Sequence, residues 1–116
     1  MNTRSLLAAL AMTGSAAPAM AHAFLQHASP GAGATLAVAP KEIVLEFSEP
    51  LEPTFSGVDV ADAMNRDVEA APAAIGGTTM RVWLKTLAPG SYRVRWHAVS
   101  VDTHRTEGGY DIAVKP

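Results

Sequence analysis

Beyond residue 22 the apolar residues come in short runs of period two, and turn-forming residues cut the chain every eight to twelve positions. That pattern leaves little room for helices and favours strands. Ile43, Leu45 and Phe47 alternate with Glu42, Val44 and Glu46, as in a half-buried strand. Met80, Val82 and Leu84 share one face of the next clear run. Tyr92, Val94 and Trp96 alternate with Ser91, Arg93 and Arg95 in another. Val58 and Val60 mark a strand after the Pro50–Pro53 loop, Tyr110, Ile112 and Val114 a closing strand, and Phe24 to Gln26 an opening one. Between Leu84 and Ser91, Leu87-Ala88-Pro89-Gly90 reads as a tight turn, which predicts a hairpin. The fold expected is all-β, a small Greek-key barrel or sandwich.

The first 21 residues read differently. Arg4 supplies a positive start, Leu6 to Met12 is an unbroken apolar stretch, and Ala19-Met20-Ala21 has the small-x-small form that signal peptidase cuts after. The apolar stretch is far shorter than the roughly 20 residues a membrane span needs. Residues 1–21 are therefore expected to be a cleavable signal peptide, and residues 22–116 one exported domain in the periplasm. Loss of Arg4 leaves eight basic against eleven acidic residues, a net charge of −3, which argues against nucleic acid as a partner. Cysteine is absent. Disulfides and thiolate metal chemistry are excluded, leaving nitrogen and oxygen donors with methionine sulfur as a weak addition.

Cleavage after Ala21 makes His22 the first residue. An N-terminal histidine offers a metal both its free α-amine and its ring Nδ1, a chelate no internal residue can form. The matching donors are in Asp102-Thr103-His104, after the run that ends near Val99. In extended backbone a D-x-H triplet projects its carboxylate and imidazole to one side. Three nitrogens and an oxygen suit tetragonal Cu(II), with zinc as the competitor if the geometry is tetrahedral. Alone, the triplet is a weak signal and reads as a solvated turn; the N-terminal histidine is what makes it a ligand pair.

Longer stretches carry a resemblance. Ser29-Pro30-x-x-Gly33, Glu46-Phe47-Ser48-Glu49 with Phe55-Ser56-Gly57, Pro89-Gly90-Ser91-Tyr92-Arg93-Val94-x-Trp96 and Ala98-Val99-Ser100-Val101-Asp102-Thr103-His104 resemble the CopC family of periplasmic copper-binding proteins. The resemblance implies a Greek-key β-domain of seven to nine strands. It also implies one Cu(II) held by His22, Asp102 and His104, and a role in copper resistance or homeostasis through sequestration or delivery. Glu49 matches a family glutamate near the copper, where it would hydrogen-bond a ligand. The resemblance further implies a monomer that hands copper to an inner-membrane CopD-type transporter. Some members carry a second, Cu(I) site rich in methionine. Here the corresponding region holds only Met64, while Met80 alternates with core positions, so no Cu(I) site is expected.

His27 reads as a surface histidine or a distal ligand, and His97, next to Trp96, as solvent-facing. Two other functional readings stand beside the copper carrier. A histidine brace also resembles the copper centre of lytic polysaccharide monooxygenases, although Asp102 would fill the position such enzymes leave open. A metal-free structural β-domain is the other. On the copper-carrier reading the chain binds its metal and performs no turnover. Metal must displace protons from an amine and two imidazoles, so affinity is expected to fall with pH.

Overall fold

The computed structural model describes residues 22–116, and the signal peptide expected over residues 1–21 lies outside them. The described residues form eight strands: β1 (Leu25–Ser29), β2 (Thr35–Leu36), β3 (Glu42–Phe47), β4 (Gly57–Asp62), β5 (Ala74–Gly76), β6 (Thr79–Trp83), β7 (Gly90–Val99) and β8 (Arg105–Val114), with a 3-10 turn at Pro53–Phe55. They form two four-stranded sheets, β1-β3-β6-β5 and β2-β8-β7-β4. This is the all-β sandwich expected, with a strand number inside the expected range. The opening strand begins at Leu25 and runs to Ser29, later than Phe24 to Gln26, with a bulge between Leu25 and His27.

The period-two runs fill the space between the sheets. Ile43, Leu45, Met80 and Val82 from one sheet meet Val60, Val94 and Ile112 from the other, all essentially without solvent contact. Each such side chain contributes about 1.5–3 kcal/mol by leaving water. A slip of one residue in any of these strands would turn that whole face outward, so the pattern fixes the register. Met80, fully buried, is part of this packing.

The structure corrects the expected hairpin. β6 and β7 are not a hairpin: β6 lies between β3 and β5, and β7 lies in the opposite sheet between β8 and β4. Both strands have an apolar face, and those faces meet across the core. The turn between them is a crossover. Its Leu87 is buried, and the Tyr92 hydroxyl donates to the carbonyl of Ala88 four residues upstream. Such a tyrosine corner secures the chain where a sandwich strand changes sheet.

The sandwich has two distinct ends. One gathers residues 22–24, the 48–56 connection, Gly77-Thr78 and the loop 100–104. The other gathers residues 30–41, 62–67, 84–90 and Lys115. Tyr110 ties the far end to the core, its hydroxyl 3.2 Å from the carbonyl of Pro30, and burial pushes its phenol up to about 12.

Candidate metal centre

His22 is carried by a three-residue arm pinned to both sheets. Ala23 is fully buried, and its carbonyl accepts a 2.6 Å hydrogen bond from the Thr106 hydroxyl of β8. Ser48, just past β3, grips the rest. Its hydroxyl oxygen accepts from the Phe24 N–H at 2.8 Å and lies 3.3 Å from the His22 carbonyl, and its own N–H donates to the Phe24 carbonyl at 2.9 Å. The His22 side chain is thereby held over the end of the sandwich.

Asp102 and His104 come from the loop that joins β7 to β8. Ser100, 1% exposed, organises it: its N–H donates to the His104 carbonyl at 2.9 Å and its hydroxyl donates to the Asp102 carboxylate. Thr103 returns a 2.8 Å hydrogen bond from its N–H to the Ser100 carbonyl. This fold of the loop forces Thr103 to φ 75°, a left-handed conformation that costs a β-branched residue about 1–3 kcal/mol. The loop is therefore a tight turn. Asp102 and His104 approach each other through that turn and not through the extended alternation expected of D-x-H.

The two pieces meet. The His22 and His104 rings lie 4.7 Å apart between centroids at an interplanar angle of 32°, and His104 Nδ1 is 3.4 Å from Asp102 Oδ1. The hydrogen bond from Ser100, reinforced by His104, holds the Asp102 carboxyl below the usual carboxylate range against a weaker opposing effect of desolvation. Both loop side chains remain about half exposed, at 46% for Asp102 and 53% for His104, so an ion can reach them. Among the described residues no group of three or more His, Asp or Glu side chains is already arranged to hold a metal. With residue 21 attached, the His22 nitrogen is an amide and offers no lone pair. The donors fit a metal in kind, since nitrogen and carboxylate oxygen are what copper and zinc take, once the amine is free and the rings turn toward one point.

Other sequence candidates fall differently. Glu49 lies half-buried at the same end, next to Ser48. His27 is exposed on β1 opposite Glu46. His97 departs from its expected solvent position: it is half-buried, and its ring lies over Gly57, where a Cβ would come within 2.8 Å of the ring. The cross-strand pairing of His97 with Gly57 explains this, because the missing side chain leaves a space the imidazole fills. Trp96 packs edge-on against Phe47 at 5.1 Å, whereas Trp83 is 42% exposed at the opposite end. Met64 is also exposed there, in the turn after β4. Sequence reasoning missed Ser48, Ser100 and Thr106. Only Ser100, two residues before a carboxylate, left a local sign.

Residues 25–115 match the CopC domain family. Protein YobA of Escherichia coli strain K12 is 40% identical over 119 residues, covering 97% of this chain and 96% of that protein. Among solved structures, CopC from Methylosinus trichosporium OB3b is 33% identical with a TM-score of 0.75, covering 82% of this chain and 95% of that one. PcoC, described as a methionine-rich copper resistance protein from Escherichia coli, is 37% identical with a TM-score of 0.73, covering 82% of this chain and all of that one. With the sandwich, the arm and the loop in the same chain as these matches, the protein belongs to the CopC family.

Proposed function

We propose that the protein is a periplasmic carrier of Cu(II), one ion per chain, whose site is completed when signal peptidase cuts after Ala21. The observation that carries this reading is the meeting of His22 and His104, rings 4.7 Å apart, with Asp102 3.4 Å from His104. Copper is the cargo. The amine and ring of His22, the imidazole of His104 and the carboxylate of Asp102 supply three nitrogens and one oxygen, a set that favours the oxidised ion and lacks the soft sulfur that would hold Cu(I). Glu49, at the same end, hydrogen-bonds a ligand from outside.

The protein's residues perform binding and release, with no turnover. Ser100 keeps the Asp102 carboxylate charged and oriented, so the loss of copper in acid falls to the nitrogen donors, which must be free of protons to bind. Reduction releases the ion, because the donor set favours Cu(II). As a monomer with an exposed site, the protein is suited to sequester copper or pass it to a CopD-type transporter of the inner membrane.

The test is N-terminal mass spectrometry of the exported protein, followed by Cu(II) electron paramagnetic resonance on the same sample. A start at His22 with one tetragonal nitrogen-ligated Cu(II) per chain is the expected result. A different first residue, or zinc binding that copper cannot displace, sinks the proposal.

A further inference from the structure

All three lysines of the chain, Lys41, Lys85 and Lys115, lie at the end of the sandwich away from His22 and His104. Lys41 precedes β3, Lys85 follows β6 and Lys115 follows β8. The Leu84 N–H donates to the Lys41 carbonyl at 2.9 Å and the Lys115 N–H to the Leu36 carbonyl at 2.9 Å. All three side chains are exposed, and among the described residues none is in an ion pair. Of the four acids at that end, two pair with arginines and two, Asp67 and Glu69, accept only main-chain N–H groups. Glu42 holds Arg81 at 2.7 Å and Asp62 holds Arg66 at 2.9 Å. Glu69 accepts the Val60 N–H and Asp67 the Glu69 N–H, each at 2.9 Å. The Lys85 ammonium lies 3.4 Å from the main-chain carbonyl of Asp67.

Between Lys41 and Lys85 opens a mainly apolar groove of about 510 Å³, lined among others by Val38, Trp83 and Leu87. Val38 is 81% exposed and Trp83 42%. Lys115 sits beyond Leu36, close in sequence register to Val38. Two chemistries thus share one surface, an indole and an aliphatic side chain in the middle and ammonium groups outside any ion pair around them.

We propose that this end docks on a bilayer containing anionic phospholipid, with Trp83 and Val38 at headgroup depth and Lys41, Lys85 and Lys115 on the phosphates. Tryptophan settles at the membrane–water boundary, and lysines lay their stems along apolar surface while the charge stays in water. Lysine is a flexible, strongly hydrated point charge, suited to a diffuse anionic surface and not to the fixed two-pronged contacts of arginine with a protein carboxylate. The charge complementarity is local and modest: three lysines stand against Asp67 and Glu69, the two acids there without a cation partner, in a chain that is acidic as a whole. In this orientation His22 and His104 face the aqueous phase, open to incoming copper.

The experiment is co-sedimentation of the exported protein with vesicles of phosphatidylcholine, with and without phosphatidylglycerol. Binding is expected only where phosphatidylglycerol is present. It should fall as salt is raised from about 0.1 M to about 1 M and the screening length drops from about 10 to about 3 Å. Each lysine near such a surface is worth about fivefold, so Lys41→Gln/Lys85→Gln should weaken partitioning about 25-fold. A blue shift of tryptophan emission on the anionic vesicles should vanish in Trp83→Phe. Equal binding to both vesicle types, no binding to either, or unchanged binding of the double variant overturns the proposal, and so does capture of a soluble protein by this end without vesicle binding. Cu(II) loading of the same variants is expected to stay stoichiometric, which keeps this test separate from that of the copper site.

Discussion

His22 reaches its place on an arm whose hydrogen bonds run to residues 24 to 83 positions away, whereas the side-chain bonds that shape the Asp102 and His104 loop span one to four positions. The arm depends on the finished fold: Thr106 and Ser48 stand beside Ala23 and Phe24 only after both sheets have formed. The turn at Asp102 and His104 is shaped from within, around the buried Ser100, while the Val101 N–H anchors the base of the loop to the distant Pro50 carbonyl at 3.2 Å. The proposed metal site would thus have one half built mostly by local chain geometry and one half delivered by tertiary structure. The first should survive local loosening of the arm, and the second should not.

The largest expected effect comes from the delivered half. His22→Ala, or a single extra residue in front of His22, should remove stoichiometric Cu(II) binding, a loss of more than about 100-fold, because a direct ligand outweighs the 10–100-fold typical of its supporting groups. Isothermal titration with Cu(II) measures it, and near-wild-type thermal unfolding of the metal-free protein shows that the fold remains. Retained affinity in either variant would overturn the division itself. Next comes the local half: Ser100→Ala strips the Asp102 carboxylate of its donor and should weaken Cu(II) about 10–100-fold, with about 1–3 kcal/mol lost in urea unfolding. Thr106→Val removes one hydrogen bond from the arm and none from the loop. About 1 kcal/mol of stability and a smaller loss of affinity are expected, so a larger copper effect than that of Ser100→Ala would reverse the ranking of the halves.

Spectroscopy sharpens the contrast between the two ends. Trp96 packs on Phe47, beside Ser48 and the arm, while Trp83 pairs with Glu42 at the start of β3, about 17 Å of strand from Phe47. Added Cu(II) should quench the emission lost in Trp96→Phe more than that lost in Trp83→Phe. The smallest effect is at Glu69, far from the site. Burial raises its carboxyl above the ordinary value, so the folded state holds a proton there more tightly than the unfolded chain. The charged form is the disfavoured one, and stability declines as pH rises through and above the ordinary carboxylate range. Glu69→Gln can still accept the Val60 N–H and should flatten that decline by less than about 1 kcal/mol, read from urea midpoints at mildly acid and neutral pH.

What the sequence disclosed follows the same division between local and distant. Ile43, Leu45 and Phe47, or Tyr110, Ile112 and Val114, declare strands and their buried faces because alternation is a property of neighbouring residues. Period two is blind to partners, so it could not tell that β6 and β7 face each other across the core instead of pairing. Asp102 and His104 stood out as donors by type and spacing. Their turn did not, since the left-handed Thr103 is imposed by bonds to Ser100 that a one-dimensional pattern does not show. His97 over Gly57 is a cross-strand fit, invisible until the register of β4 and β7 is known. Ser48 and Thr106 are ordinary hydroxyl residues until the fold sets them beside the arm.

The burial of Ala23 has a mechanical consequence. Chain termini ordinarily fray and tolerate additions, since nothing fixes where they begin. Here Ala23, which would be the second residue after the proposed cut, is a wedge seated with 0% exposure, and it leaves His22 one residue of reach. On the proposed reading, the fold thus fixes which first residue gives a working site. A cut one residue early would carry the terminal amine about 3.8 Å further along the chain, away from the imidazole it must share an ion with, and Ala23 leaves no slack to draw it back.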